Sequence, residues 1–131
     1  MIKKPSTLAE TTSMMFFDLP MDVKRISDFL RFNSQKMQKL NLFESKRMFC
    51  DLYCLEPGQQ QNLHSHPDND KIYYVIEGQG SFTVGKVTKI LQSGEITLAG
   101  AGEPHAVENI SSGFLTCLVF MAPHPQPEKF V

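Results

Sequence analysis

The chain has 131 residues, with 13 Lys and Arg against 14 Asp and Glu and a formal net charge of −1. That length suits one domain around one core. The near balance of charge argues against nucleic acid or an anionic membrane surface as the main partner. No stretch approaches the roughly 18 apolar residues of a membrane span. Lys3 and Lys4 precede Pro5-Ser6-Thr7, without the apolar run of a secretory signal. Cys50, Cys54 and Cys117 are odd in number and lack the pair spacing of a zinc site or a disulfide framework. A reducing, cytoplasmic setting is expected, with Cys50 and Cys54 as buried thiols on one strand face.

Residues 1–44 read as an arm plus a short helical segment. The run Met14-Met15-Phe16-Phe17 is too apolar to lie free in water and is expected to pack on the domain or against a second subunit. After Pro20, Val23, Ile26, Phe29 and Leu30 recur at helical spacing, with Asp22 placed to cap the start. Met37, Leu40 and Leu42 continue the apolar stripe beyond Asn33-Ser34. Lys24, Arg25, Arg31, Lys36, Lys39, Lys46 and Arg47 are interspersed with Asp22, Asp28 and Glu44, the pattern of a solvated face.

From Arg47 the texture is β. Strands are expected over Arg47–Leu55, Lys71–Ile76, Ser81–Val84, Val87–Leu91, Glu95–Leu98, Ala106–Asn109 and Phe114–Met121. Glycine-bearing turns separate most of them, which indicates an all-β sandwich or barrel. Ile72-Tyr73-Tyr74-Val75-Ile76 offers apolar residues to both faces, so both need cover. The first forty residues or a second subunit would supply it, and a homodimer with exchanged N-terminal arms is expected. Residues 122–131 carry Pro123, Pro125 and Pro127 and read as an extended tail, with His124 solvated in it.

His64 and His66 stand two apart, so a strand presents both imidazoles on one face. His105, far downstream, can close the group from another strand. Neutral imidazoles suit divalent iron, zinc, nickel, manganese or copper, and three protein ligands leave positions open for water, oxygen or substrate. The surrounding spacing is specific. Gly58, five residues, His64-Ser65-His66, four residues, Lys71, six residues and Gly78 form one string. Gly94, five residues, Gly100-Ala101-Gly102, two residues, His105, three residues and Asn109 form another.

Both strings resemble the two motifs of the cupin superfamily. They depart at Lys71, where the motif has glutamate, and at Gly100, where it has proline. The resemblance covers roughly residues 45–121. It implies a double-stranded β-helix (a cupin, or jelly-roll, barrel) of the small single-domain cupin 2 type. It assigns metal-ligand roles to His64, His66 and His105, and none to Lys71.

A protonated lysine has no lone pair to give. At an effective dielectric near 20, a unit charge about 5 Å from a dication costs on the order of 6 kcal/mol. Three arrangements follow. In the first, three histidines hold the metal and Lys71 turns to the rim, where it can hold an anionic substrate. In the second, Asp70 supplies an oxygen ligand through a bulge. In the third, the barrel binds an anion without metal. Tyr73, Gln60 and Asn109 join Lys71 as candidate substrate contacts: Tyr73 shares the face of Lys71, Gln60 precedes the histidine strand, and Asn109 shares the face of His105. The expected function is a metal-dependent, oxygenase-type activity on a small polar or anionic metabolite. A non-enzymatic ligand-binding or sensor module is the alternative. A sugar isomerase or epimerase is a second alternative and needs a general base.

Overall fold

The computed structural model describes residues 20–130. The Met14–Phe17 run and the exchanged arm lie outside the described residues. Nine strands are present among the described residues: β1 Gln38–Ser45, β2 Met48–Leu55, β3 Gln60–His64, β4 Asp70–Glu77, β5 Gln79–Val84, β6 Val87–Gln92, β7 Ile96–Ala99, β8 His105–Glu108 and β9 Leu115–Ala122. They form a five-stranded sheet in the order β1-β2-β9-β4-β7 and a four-stranded sheet in the order β3-β8-β5-β6. Every pairing is antiparallel. The chain is all-β, as the spacing of apolar and turn residues predicts.

Strand alternation builds the interior. On β4, Lys71, Tyr73 and Val75 are buried while Ile72, Tyr74 and Ile76 are only partly covered. Tyr73 and Val75 join Tyr53, Leu55, Phe82, Val107, Leu115, Cys117 and Val119 in the core between the sheets. The turn after β4 requires glycine. Gly78 has φ of 84°, and a Cβ there would strike the Phe114 carbonyl.

The outer face of the larger sheet has a core of its own. Leu42, Cys50, Leu52 and Cys54 pack there, covered by Ile26, Phe29 and Phe32. Phe32 also stacks on Phe114 with ring centroids 4.4 Å apart. Both Cys50 and Cys54 are buried on that face, as their spacing predicts.

Three expectations are corrected. The helix expected over Met21–Phe32 is a single 3-10 turn, Ile26–Asp28. Val23 and Leu30 stay exposed, so the segment lies over the sheet as an irregular cover rather than an amphipathic cylinder. Leu40 and Leu42 belong to strand β1, not to a continued helical stripe. Their two-residue spacing turns both to the outer core. His124 is buried, at 4% exposure, rather than solvated. Its Nε2 donates to Glu44 Oε1 at 2.9 Å, and the edges of its contacts with Phe49 and Phe130 complete the cage. Lys129 Nζ reaches the same Glu44 oxygen at 2.9 Å, so the segment after β9 is clamped to β1.

Candidate metal centre

The three histidines converge. His64 ends β3 and His105 opens β8, and the two are directly paired across that ladder. His66 follows two residues later. Gly102, with φ of 83°, turns the chain just before β8 and donates its N–H to the His66 carbonyl at 2.7 Å. That bond ties the loop of one ligand to the loop of another. Ring centroids stand 4.3 Å apart for His64 and His105, 5.0 Å for His64 and His66, and 5.4 Å for His66 and His105. One ligand nitrogen from each lies within 4.8 Å of the others.

Backbone carbonyls orient two of the rings. His64 Nδ1 donates to Asn62 O at 2.7 Å, and His105 Nδ1 donates to Glu103 O at 3.0 Å. Each bond leaves Nε2 with a free lone pair. His105 Nε2 is buried and has no hydrogen-bond partner among the described residues. A buried nitrogen without a partner is costly, and a metal ion would satisfy it. Burial also holds all three histidines below their ordinary pKa, His105 down to about 4. They are therefore neutral at physiological pH, the form a metal requires. The residues present fit a divalent transition metal.

Beside the histidines lies a polar group drawn from both sheets, with Lys71 and Tyr73 on β4, Tyr53 on β2 and Gln61 on β3. Lys71 is 1% exposed, so it is not at the rim. Its place in the inward set of β4 carries it into the barrel. Lys71 Nζ donates to Gln61 Oε1 at 3.1 Å and stands 5.4 Å and 5.0 Å from the ring centroids of Tyr53 and Tyr73. Tyr73 donates its phenol to the same Gln61 oxygen at 3.0 Å, and Gln61 Nε2 donates to the Tyr53 oxygen at 3.2 Å. Desolvation, reinforced by the charge of Lys39, lowers the Lys71 pKa to about 7. A cavity of about 260 Å³ joins His64, His66, Lys71, Lys39, Asp51 and Gln61.

Sequence spacing does not single out Gln61. The β3–β8 register shifts between Gln61 and His64, a bulge that turns residues three apart to the same interior. Gln60 is thereby exposed and donates to Asn62 Oδ1 instead. Asp51 was open to recognition as a lone acid between the buried Cys50 and Leu52. Its carboxyl accepts from Asn41 Nδ2 at 3.0 Å, and burial pushes its pKa up. Asp70 is no ligand: its carboxylate accepts the Ala101 N–H at 3.0 Å and stands outside the histidine group. Asn109 is fully buried, but its amide donates to the Leu55 and Gly113 carbonyls and its oxygen accepts from Ser111. It staples a loop and does not reach the cavity.

Residues 51–121, more than half of the chain, match the family described as the cupin domain. The chain is a cupin. Its fold has many solved counterparts. A Thermus thermophilus structure is 42% identical and covers 80% of this cupin and 100% of that chain, with a TM-score of 0.78. A double-stranded β-helix protein from Klebsiella pneumoniae, at 20% identity, covers 81% of this cupin and 93% of that chain, with a TM-score of 0.75. Among characterised sequences, an oxalate-binding protein of Thermotoga maritima is 29% identical over 86 residues, 66% of this cupin and 68% of that protein. No helix among the described residues is long and apolar enough to cross a membrane.

Proposed function

We propose that His64, His66 and His105 hold a divalent transition metal and that the adjoining cavity admits a small polar or anionic metabolite. The observation that carries this is the buried, unpartnered Nε2 of His105, aimed into a group of three neutral imidazoles. Bound there, iron, zinc, nickel, manganese or copper would act as a Lewis acid, and iron or copper would also activate oxygen. The protein's own part is orientation and exclusion of water. The apolar rings of Phe49 and Tyr53 line the cavity, Lys39 and Lys71 favour an anionic guest, and Tyr73 steadies Gln61. An oxygenase-type reaction is the enzyme reading.

Elemental analysis of the purified protein, beside His64→Ala and His105→Ala, tests the metal. Stoichiometric metal that both substitutions abolish supports it; metal that persists in both refutes it. Oxygen uptake with thiols, flavonols and diketones then tests the enzyme reading.

A second reading, a ligand-binding module without turnover, is favoured by the two lysines at the cavity and by the similarity to an oxalate-binding protein. Tight binding of a small carboxylate without oxygen uptake would select it.

A further inference from the structure

Lys71 has chemistry that the metal reading leaves unused. Lys71 is 1% exposed, and no carboxylate of the described residues, Asp51 of the same cavity included, stands within 4 Å ion-pair distance of its amine. Its one hydrogen bond goes to Gln61 Oε1, and that oxygen is fixed in place by Tyr73 while the amide nitrogen is fixed by Tyr53. The amine lines the same cavity as His64 and His66, with Lys39 as a second cation beside it. Desolvation and a neighbouring cation are the two conditions that make a lysine nucleophilic.

We infer that Lys71 is a carbonyl-capturing amine whose Nζ condenses with a short 2-oxo acid or aldehyde acid admitted to the histidine cavity. The lone pair of Nζ attacks the carbonyl carbon. A C–N bond forms, and the carbonyl electron pair moves to oxygen, which takes a proton from the nitrogen. The resulting carbinolamine loses the oxygen as water when nitrogen gives up its second proton, leaving a C=N imine. The step is redox-neutral and needs no co-reactant. Lys39 supplies the cation for the guest's carboxylate. This inference goes beyond the metal reading and does not depend on it.

Reductive trapping tests it. The full-length protein, as purified and after chelation, is incubated near pH 7 with glyoxylate and cyanoborohydride, and the carboxymethyl adducts are mapped by mass spectrometry. Lys71 is expected to reach at least about ten times the occupancy of the exposed Lys36, Lys46 and Lys86. Gln61→Glu places a carboxylate at the amine and holds it protonated, so trapping falls to the surface level with Lys71 still present. Adducts spread over the surface lysines with Lys71 unmodified in the native protein would overturn the inference. So would undiminished trapping in a folded Gln61→Glu variant. Metal content of the same samples reports separately on the histidines, so either idea can fail alone.

Discussion

Replacing Lys71 with Met should change how stability depends on pH. The substitution keeps the side chain's length and leaves Gln61 Oε1 satisfied by Tyr73. In the native protein the Lys71 pKa falls from 10.5 to about 7. Between those values the unfolded chain holds a proton that the folded one lacks, so stability rises with pH across that window. At about 1.4 kcal/mol per pH unit, the full cost below pH 7 is roughly 5 kcal/mol. From pH 7 to pH 9 the recovered part is about 2 kcal/mol, allowing for half-titration at the lower end. Urea unfolding of chelated native and Lys71→Met protein at both pH values measures it. The variant should be the more stable at pH 7, and its lead should shrink by about 2 kcal/mol at pH 9, about 1 M in midpoint. Buried Cys50, Cys54 and Cys117 oppose the trend near pH 9, because burial raises their pKa, but both proteins share them. Parallel pH profiles for the two proteins would refute the account of a desolvated amine.

Asn109→Ala should cost about 2–3 kcal/mol in chemical denaturation while leaving metal stoichiometry unchanged, since it strands the Leu55 and Gly113 carbonyls rather than any ligand. Lys71→Glu should tighten divalent-metal binding by about tenfold or more in competition with a chelating dye, because an amine is replaced by a carboxylate that attracts the ion. Because His105 is held down to about 4, protons displace metal only in acid. Dialysis followed by elemental analysis should show retention near pH 6 and release as the pH falls towards 4. Metal lost already at pH 7 would count against neutral, buried histidines as its ligands.

Much of the site was legible because its spacing survives folding unchanged. His64, His66 and His105 carry their own signal, and regular alternation on β4 places Lys71 beside Tyr73 on the inner face. Two kinds of feature were hidden. A bulge adds one residue without marking the sequence, so Gln60 and Gln61 exchange faces with nothing in their neighbours to announce it. Tertiary cover overrides local pattern, so the helical spacing of Val23, Ile26, Phe29 and Leu30 yields one turn where the underlying sheet accepts only Ile26 and Phe29. His124 belongs to the second kind: its proline-rich surroundings read as free chain, but Glu44, eighty residues earlier, holds it.

The imidazoles come from β3, the loop that follows it and β8, whereas the amine and both phenols come from β4 and β2. The two chemical poles of the cavity thus ride on opposing sheets, and packing between the sheets holds their spacing, with the Tyr73 and His105 rings 6.2 Å apart. A guest gripped at both ends is measured against a fixed ruler. Within a homologous series of two-headed acids, one chain length should stand apart, with shorter members losing one anchor and longer ones forced to buckle.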